Sequence, residues 1–79
     1  MSNSIDTIVN IIAELKPGED FAGSADFIVD GLLDSFDILA LVEEIEETLG
    51  VDIDGEAIVP ENFGSFAAIA ALAERSERA

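Results

Sequence analysis

The 79 residues contain no cysteine, histidine, tyrosine or tryptophan, and only three of them are basic. Without cysteine there is no disulfide framework, no thiolate nucleophile and no sulfur ligand for a metal. Without histidine the chain lacks the side chain that most often moves protons near neutral pH. Self-contained serine catalysis is excluded on the same ground, because Lys16 is the one lysine and no histidine is present to act as base. So little positive charge makes nucleic acid and anionic membrane poor partners for the unassisted chain. No long apolar run exists either. Ile5 to Leu15 is interrupted by Asp6, Asn10 and Glu14 and cannot span a bilayer, and Met1-Ser2-Asn3-Ser4 has none of the features of a signal peptide. A cytoplasmic protein is expected.

What is present is acid and hydrocarbon. Eighteen acidic residues give a formal charge of −15, while 49% of the residues are hydrophobic. That apolar fraction argues for a folded chain rather than an acidic disordered one. The charge implies self-repulsion that salt relieves, and a positively charged protein surface as the natural complement. The length fits one small domain over 1–79, and a monomer is expected. Asp52-Ile53-Asp54-Gly55 with Glu61 imitates part of an EF-hand loop, but Gly50 stands where the first ligand belongs and Pro60 intrudes. No metal site is expected.

The apolar spacing predicts an all-α fold. Asn3 or Ser4 can cap a first helix whose buried face would be Ile5, Ile8, Val9, Ile12 and Leu15, with Lys16 near its end and Pro17-Gly18 stopping it. Residues 19 to 33 form a long connection. It holds Phe21, Phe27, Ile28, Leu32 and Leu33, too many apolar groups to leave in water, so the loop should be pinned across the domain. A second helix is predicted from Asp34 or Ser35 to about Leu49, ended by Gly50. Its core face would be Ile38, Val42, Ile45 and Leu49, flanked by Leu39 and Leu41. Glu43, Glu44 and Glu47 lie opposite, Asp37 and Glu46 toward the edges, and Phe36 falls among the acids. Val51 to Gly55 reads as a turn-rich crossover, and Pro60 to Phe63 as a single short turn with proline first. Ser65 can cap a last helix that buries Phe66, Ile69, Leu72 and Ala73. The expected architecture is a small four-helix bundle: three main helices, one short third helix, and a long loop between the first and second.

Ser35 is the residue that raises a functional question. Serines at helix starts are usually caps, but Asp34 is an equally suitable cap and would place Ser35 at the first helical position, facing solvent. A phosphate ester there could use the exposed amides and the positive helix end, at some cost from Asp34 and Asp37.

Gly31-Leu32-Leu33-Asp34-Ser35-Phe36 resembles the signature of acyl and peptidyl carrier proteins. The resemblance extends through Phe27 with Gly31-Leu32, the acidic Glu43-Glu44-Ile45-Glu46, Ile58-Val59-Pro60-Glu61-Asn62-Phe63 and Phe66-Ala67-Ala68-Ile69. It implies an acyl-carrier-like bundle that is not an enzyme. Ser35, preceded by Asp34, would carry 4′-phosphopantetheine derived from coenzyme A and installed by a phosphopantetheinyl transferase. An acyl or aminoacyl group would ride as a thioester on the cofactor's thiol, passed from a loading enzyme to synthases or transferases of a biosynthetic pathway. Fatty-acid, polyketide and nonribosomal-peptide pathways all stay open. Phe36 departs from the leucine usual after the serine and is similar to the carriers that handle D-alanine. A chain starting at Met1 suggests a free-standing carrier.

The same resemblance implies that Asp34, Phe36, Asp37, Glu43, Glu44 and Glu47 engage basic partner surfaces, with Ala40 on the same face. The alternative for Phe36 is to fold back against the 19-to-33 loop. Leu39, Val42, Ile58 and Ala68 are candidates either for a cargo-lining cleft or for plain core. The competing function is an acidic helical interaction module with no prosthetic group, for which Ser35 would have no special task.

Overall fold

The computed structural model describes residues 4–78, apart from the side chain of Ser4. The expected cap at Asn3 or Ser4 therefore lies outside the described residues. Helix α1 spans Ser4–Leu15, α2 Ser35–Leu49 and α3 Phe66–Arg75. Two 3₁₀ turns, Gly55–Ala57 and Pro60–Phe63, lie between α2 and α3. The small all-α bundle read from the apolar spacing is the fold observed.

Helix α1 buries Ile8, Ile11 and Ile12 and half-buries Leu15. Ile5 and Val9, expected on that face, sit at its rim at 38% and 37% exposure. The stripe is turned toward Ile11 because α1 must meet α2 and α3 together. A helix wedged between two neighbours buries a wider sector than one apolar ridge.

The connection from α1 to α2 is held by its aromatic residues, as its composition predicts. Phe21 and Phe27 are buried with ring centroids 4.9 Å apart, edge to face, and Phe27 meets Phe66 at 5.0 Å. Phe27 N–H also donates to the Gly64 carbonyl at 2.8 Å, which ties the loop to the approach to α3. The Phe27 carbonyl accepts from Leu32 and Leu33 N–H at 2.8 and 3.2 Å, closing a tight turn. Gly31 completes that turn at φ +75°, a conformation costly for any residue with a Cβ.

Helix α2 begins with a capping box. Asp37 N–H donates to Asp34 Oδ1 at 2.9 Å, and Asp34 N–H donates to Asp37 Oδ2 at 3.1 Å. It ends at Gly50, left-handed at φ 66°, whose N–H reaches the Glu46 carbonyl. Leu41, Val42 and Ile45 form its buried face, with Ile38 and Leu49 partly buried. Leu39 corrects the expectation by standing 56% exposed. At about 100° per residue it lies about 120° round from Ile45, whereas Leu41 lies only about 40° away.

One feature of the fold has no precedent in the apolar pattern. Val51–Asp52 (β1) pairs antiparallel with Glu77–Arg78 (β2), Val51 opposite Arg78 and Asp52 opposite Glu77. Glu46 supports the crossover by accepting from Ile53 N–H at 3.0 Å. Asp54 caps the first 3₁₀ turn through Glu56 N–H, and Pro60 opens the second, which buries Phe63 completely. Ser65 caps α3 by accepting from Ala68 N–H at 3.1 Å. Ile69, Ala70, Leu72 and Ala73 then face the core, and the two alanines permit close approach to α1.

Candidate functional site

The helix start at Asp34-Ser35 separates two neighbouring side chains by task. Asp34 takes the capping position, so Ser35 becomes the first helical residue and points into solvent. The other serines with described side chains are occupied. Ser24 donates to Asp30, Ser65 caps α3, and Ser76 donates to the Leu72 carbonyl at 2.7 Å. The Ser35 hydroxyl has no hydrogen-bond partner among the described residues. Its surroundings are the positive end of a fifteen-residue helix on one side and open water on the other.

Asp37 is drawn inward. It accepts from Asp34 N–H and also from Lys16 Nζ at 3.1 Å, with the two paired side chains 32% (Lys16) and 22% (Asp37) exposed. Partial burial pushes the Asp37 carboxyl up, but the Asp34 amide and the hydrogen bond and charge of Lys16 together hold it below the ordinary aspartate value. Lys16 is raised above its ordinary value, first by the hydrogen bond to Asp37 against the opposing effect of desolvation, and further by the charges of Asp37, Asp34 and Glu19. Sequence reasoning placed Lys16 near the end of the first helix and set it aside as a base for Ser35. A lone lysine just before Pro17-Gly18 was the available signal, and its partner 21 positions on was not visible.

Phe36 stands 82% exposed and does not fold back on the loop. Beside it on α2 are the exposed Leu39, Glu43 and Glu47 and the half-buried Ala40, with Glu44 half-buried at the edge. Val29, 81% exposed on the preceding loop, is a further large apolar group at the surface. Nothing periodic in the loop could have singled it out. The four cleft candidates do not share one environment: Val42 belongs to the core, Ile58 packs against it, Ala68 is half-buried and Leu39 is outside. A cavity of about 150 Å³ lies instead between α1 and α2, walled by Ile12, Leu15, Leu33, Ala40 and Leu41 together with Lys16 and Asp37.

The pattern of a family described as "Phosphopantetheine attachment site" matches residues 6–73, most of the chain. The chain belongs to the phosphopantetheine-attachment family. No curated protein and no solved structure gives a match. Among the described residues no cluster of three His, Cys, Asp or Glu side chains is arranged to hold a metal ion, and no helix is long and apolar enough to cross a membrane.

Proposed function

We propose that this domain is a carrier whose Ser35 bears 4′-phosphopantetheine and whose cargo, an acyl or aminoacyl group, is handed between enzymes of a biosynthetic pathway. The observation that carries the reading is the exposed Ser35 hydroxyl, without a hydrogen-bond partner among the described residues, at the first position of α2 and inside the span matched by the family. The residues fit the group. A phosphodiester on Ser35 would stand at a helix N-terminus, where the backbone dipole favours negative charge. Asp34 and Asp37 would oppose it less than two free carboxylates, since both are already bonded within the capping box. In the loading reaction a bond forms from Ser35 Oγ to the phosphorus of coenzyme A proximal to the pantetheine. The phosphoanhydride bond to the adenosine 3′,5′-bisphosphate leaving group breaks, and the serine proton leaves to a base on the transferase. When attached, the group supplies the thiol that this cysteine-free chain lacks.

The partners proposed are the transferase, a loading enzyme and downstream enzymes with basic docking surfaces. The acids of α2 support this reading. Charges such as Glu43 and Glu47 would accelerate encounter, and an 82% exposed Phe36 would anchor the complex.

The test is intact mass before and after incubation with coenzyme A, magnesium and a broad-specificity phosphopantetheinyl transferase, alongside Ser35→Ala. A gain of one phosphopantetheinyl group on the wild type alone, with both proteins equally helical, is the expected result. Failure of several transferases on folded, unmodified protein would turn the reading to an acidic interaction module.

A further inference from the structure

We propose that Lys16 is a positioning residue for Ser35, its ammonium fastening the first turn of α2 to the end of α1 through Asp37. This inference rests on the reading of Ser35 as the attachment residue.

Packing alone leaves that turn poorly seated. Ser35 and Phe36 are exposed, Asp37 and Ile38 only partly buried, and the first fully buried side chain of α2 is Leu41. Beneath the turn lies the cavity of about 150 Å³ between the two helices. The side chains around that space forgo contacts that a filled core would supply. The missing grip is replaced by a polar chain that crosses the gap. Lys16 Nζ donates to Asp37 Oδ2 at 3.1 Å, and the same oxygen accepts from Asp34 N–H at 3.1 Å. Asp34 Oδ1 in turn accepts from Asp37 N–H at 2.9 Å. The two carboxylates flank Ser35, one immediately before it and one two residues after.

Lys16 is well placed to act as the fixed end of this chain. Its own N–H continues the ladder of α1 to the Ile12 carbonyl at 2.8 Å, so its backbone is part of the helix end just before Pro17 turns the chain away. Among the described residues no other cation is placed to substitute. The remaining two, Arg75 and Arg78, end α3 and pair in the β ladder, with Arg75 Nη2 engaged by Asn62. Because an acceptor hydroxyl is useful only in the orientation its enzyme accepts, loosening the turn lowers the fraction of competent molecules. That raises the apparent KM for the carrier without altering the chemical step.

The experiment compares wild type, Lys16→Met and Lys16→Arg as full chains in two measurements: phosphopantetheinyl transfer kinetics and amide hydrogen exchange. Partly exposed ion pairs contribute on a scale that converts to about two- to fivefold. Lys16→Met should raise the KM for the carrier by about that factor with kcat retained, and Lys16→Arg should restore it. The exchange protection of the Asp37 and Ile38 amides should fall by a similar factor in Lys16→Met, while that of Ile45 is unchanged. An unchanged KM, or a loss of protection spread evenly through Ile45 and α3, would overturn the proposal, the latter by making the pair a contributor to global stability only. If the wild type itself accepts no phosphopantetheine, the carrier reading fails, and the exchange pattern still decides whether Lys16 holds the turn.

Discussion

Replacing Asp34 by alanine tests whether the residue before Ser35 acts through its hydrogen bond or through its charge. The substitution removes Oδ1, the acceptor for Asp37 N–H at 2.9 Å, while the reciprocal bond from the residue 34 amide to Asp37 Oδ2 keeps both its groups. Loss of an aspartate N-cap costs about 0.5–2 kcal/mol. The amide freed is that of Asp37, at an exposed bond that water can replace, and a value near the middle of that range, about 1 kcal/mol, is expected. Removing one negative charge from a chain of net −15 offsets a few tenths of this at low salt. For a domain of this size each kcal/mol moves Tm by about 4–8 °C, so Asp34→Ala should melt about 4–8 °C lower. Asparagine caps as well as aspartate, and Asp34→Asn should stay within about 0.5 kcal/mol of wild type. Thermal melts by far-UV circular dichroism, checked against urea titrations with an unchanged m value, read both variants. Equal losses in Asp34→Asn and Asp34→Ala would refute the argument, because charge rather than the hydrogen bond would then be what α2 needs from this residue.

Other substitutions separate surface from core. Phe36→Ala should shift stability by no more than about 0.5 kcal/mol, given its exposure, while slowing turnover by partner enzymes; a large drop in Tm with unchanged partner kinetics would reverse that assignment. Phe63→Ala removes a fully buried ring and should cost about 3–5 kcal/mol, enough to abolish a cooperative melt in a small domain, as calorimetry would record. The Lys16–Asp37 pair predicts a pH window. The Asp37 carboxyl is lowered in the fold, so its contribution is present above the unfolded aspartate pKa and disappears as pH falls through the folded value. Lys16 is raised, so its contribution is complete below the unfolded lysine pKa and disappears as pH rises through the folded value. The stability difference between wild type and Lys16→Met should therefore be flat from about pH 5 to 9 and vanish at both acid and alkaline extremes. Denaturant titrations across pH measure it, and a difference that persisted at pH 2 would exclude the pair as its source.

The elements most easily read from the sequence are those whose start, period and stop agree. For α2, an aspartate cap, an apolar period and a terminal glycine all point to the same boundaries, and Ser35–Leu49 is where the helix lies. Ser65 and Pro60 mark their elements equally well, because each satisfies a local geometric need that does not depend on the rest of the fold. Rotation about a helix axis is harder to read. Ile11 is buried and Leu39 exposed because neighbouring helices decide which sector is covered, and those neighbours are remote in sequence. Long-range polar contacts are harder still. The β1–β2 ladder joins positions 51–52 to 77–78, and Lys16 finds Asp37, with no local pattern announcing either. At the candidate site, the place of Ser35 at the start of α2 was legible, although the cap stayed open between Asp34 and Ser35 until the structure gave it to Asp34. The support beneath it was not, because it depends on how α1 meets α2.

The segment from Phe21 to Leu33, bound through Phe27 to Gly64 and Phe66, changes where this protein could be opened or rebuilt. A map of helices would nominate the longest non-helical stretch as the natural place for a protease to cut or for a designer to splice in a foreign peptide. Here that stretch contributes Phe21, Phe27 and Leu33 to the core. An insertion between Phe27 and Leu33 would pull two buried side chains apart and disturb the entry to α2. The tolerant place is the turn at Pro17, Gly18 and Glu19, whose residues are all exposed. Grafting there would lengthen the chain without disturbing the aromatic contacts that make the loop part of the bundle.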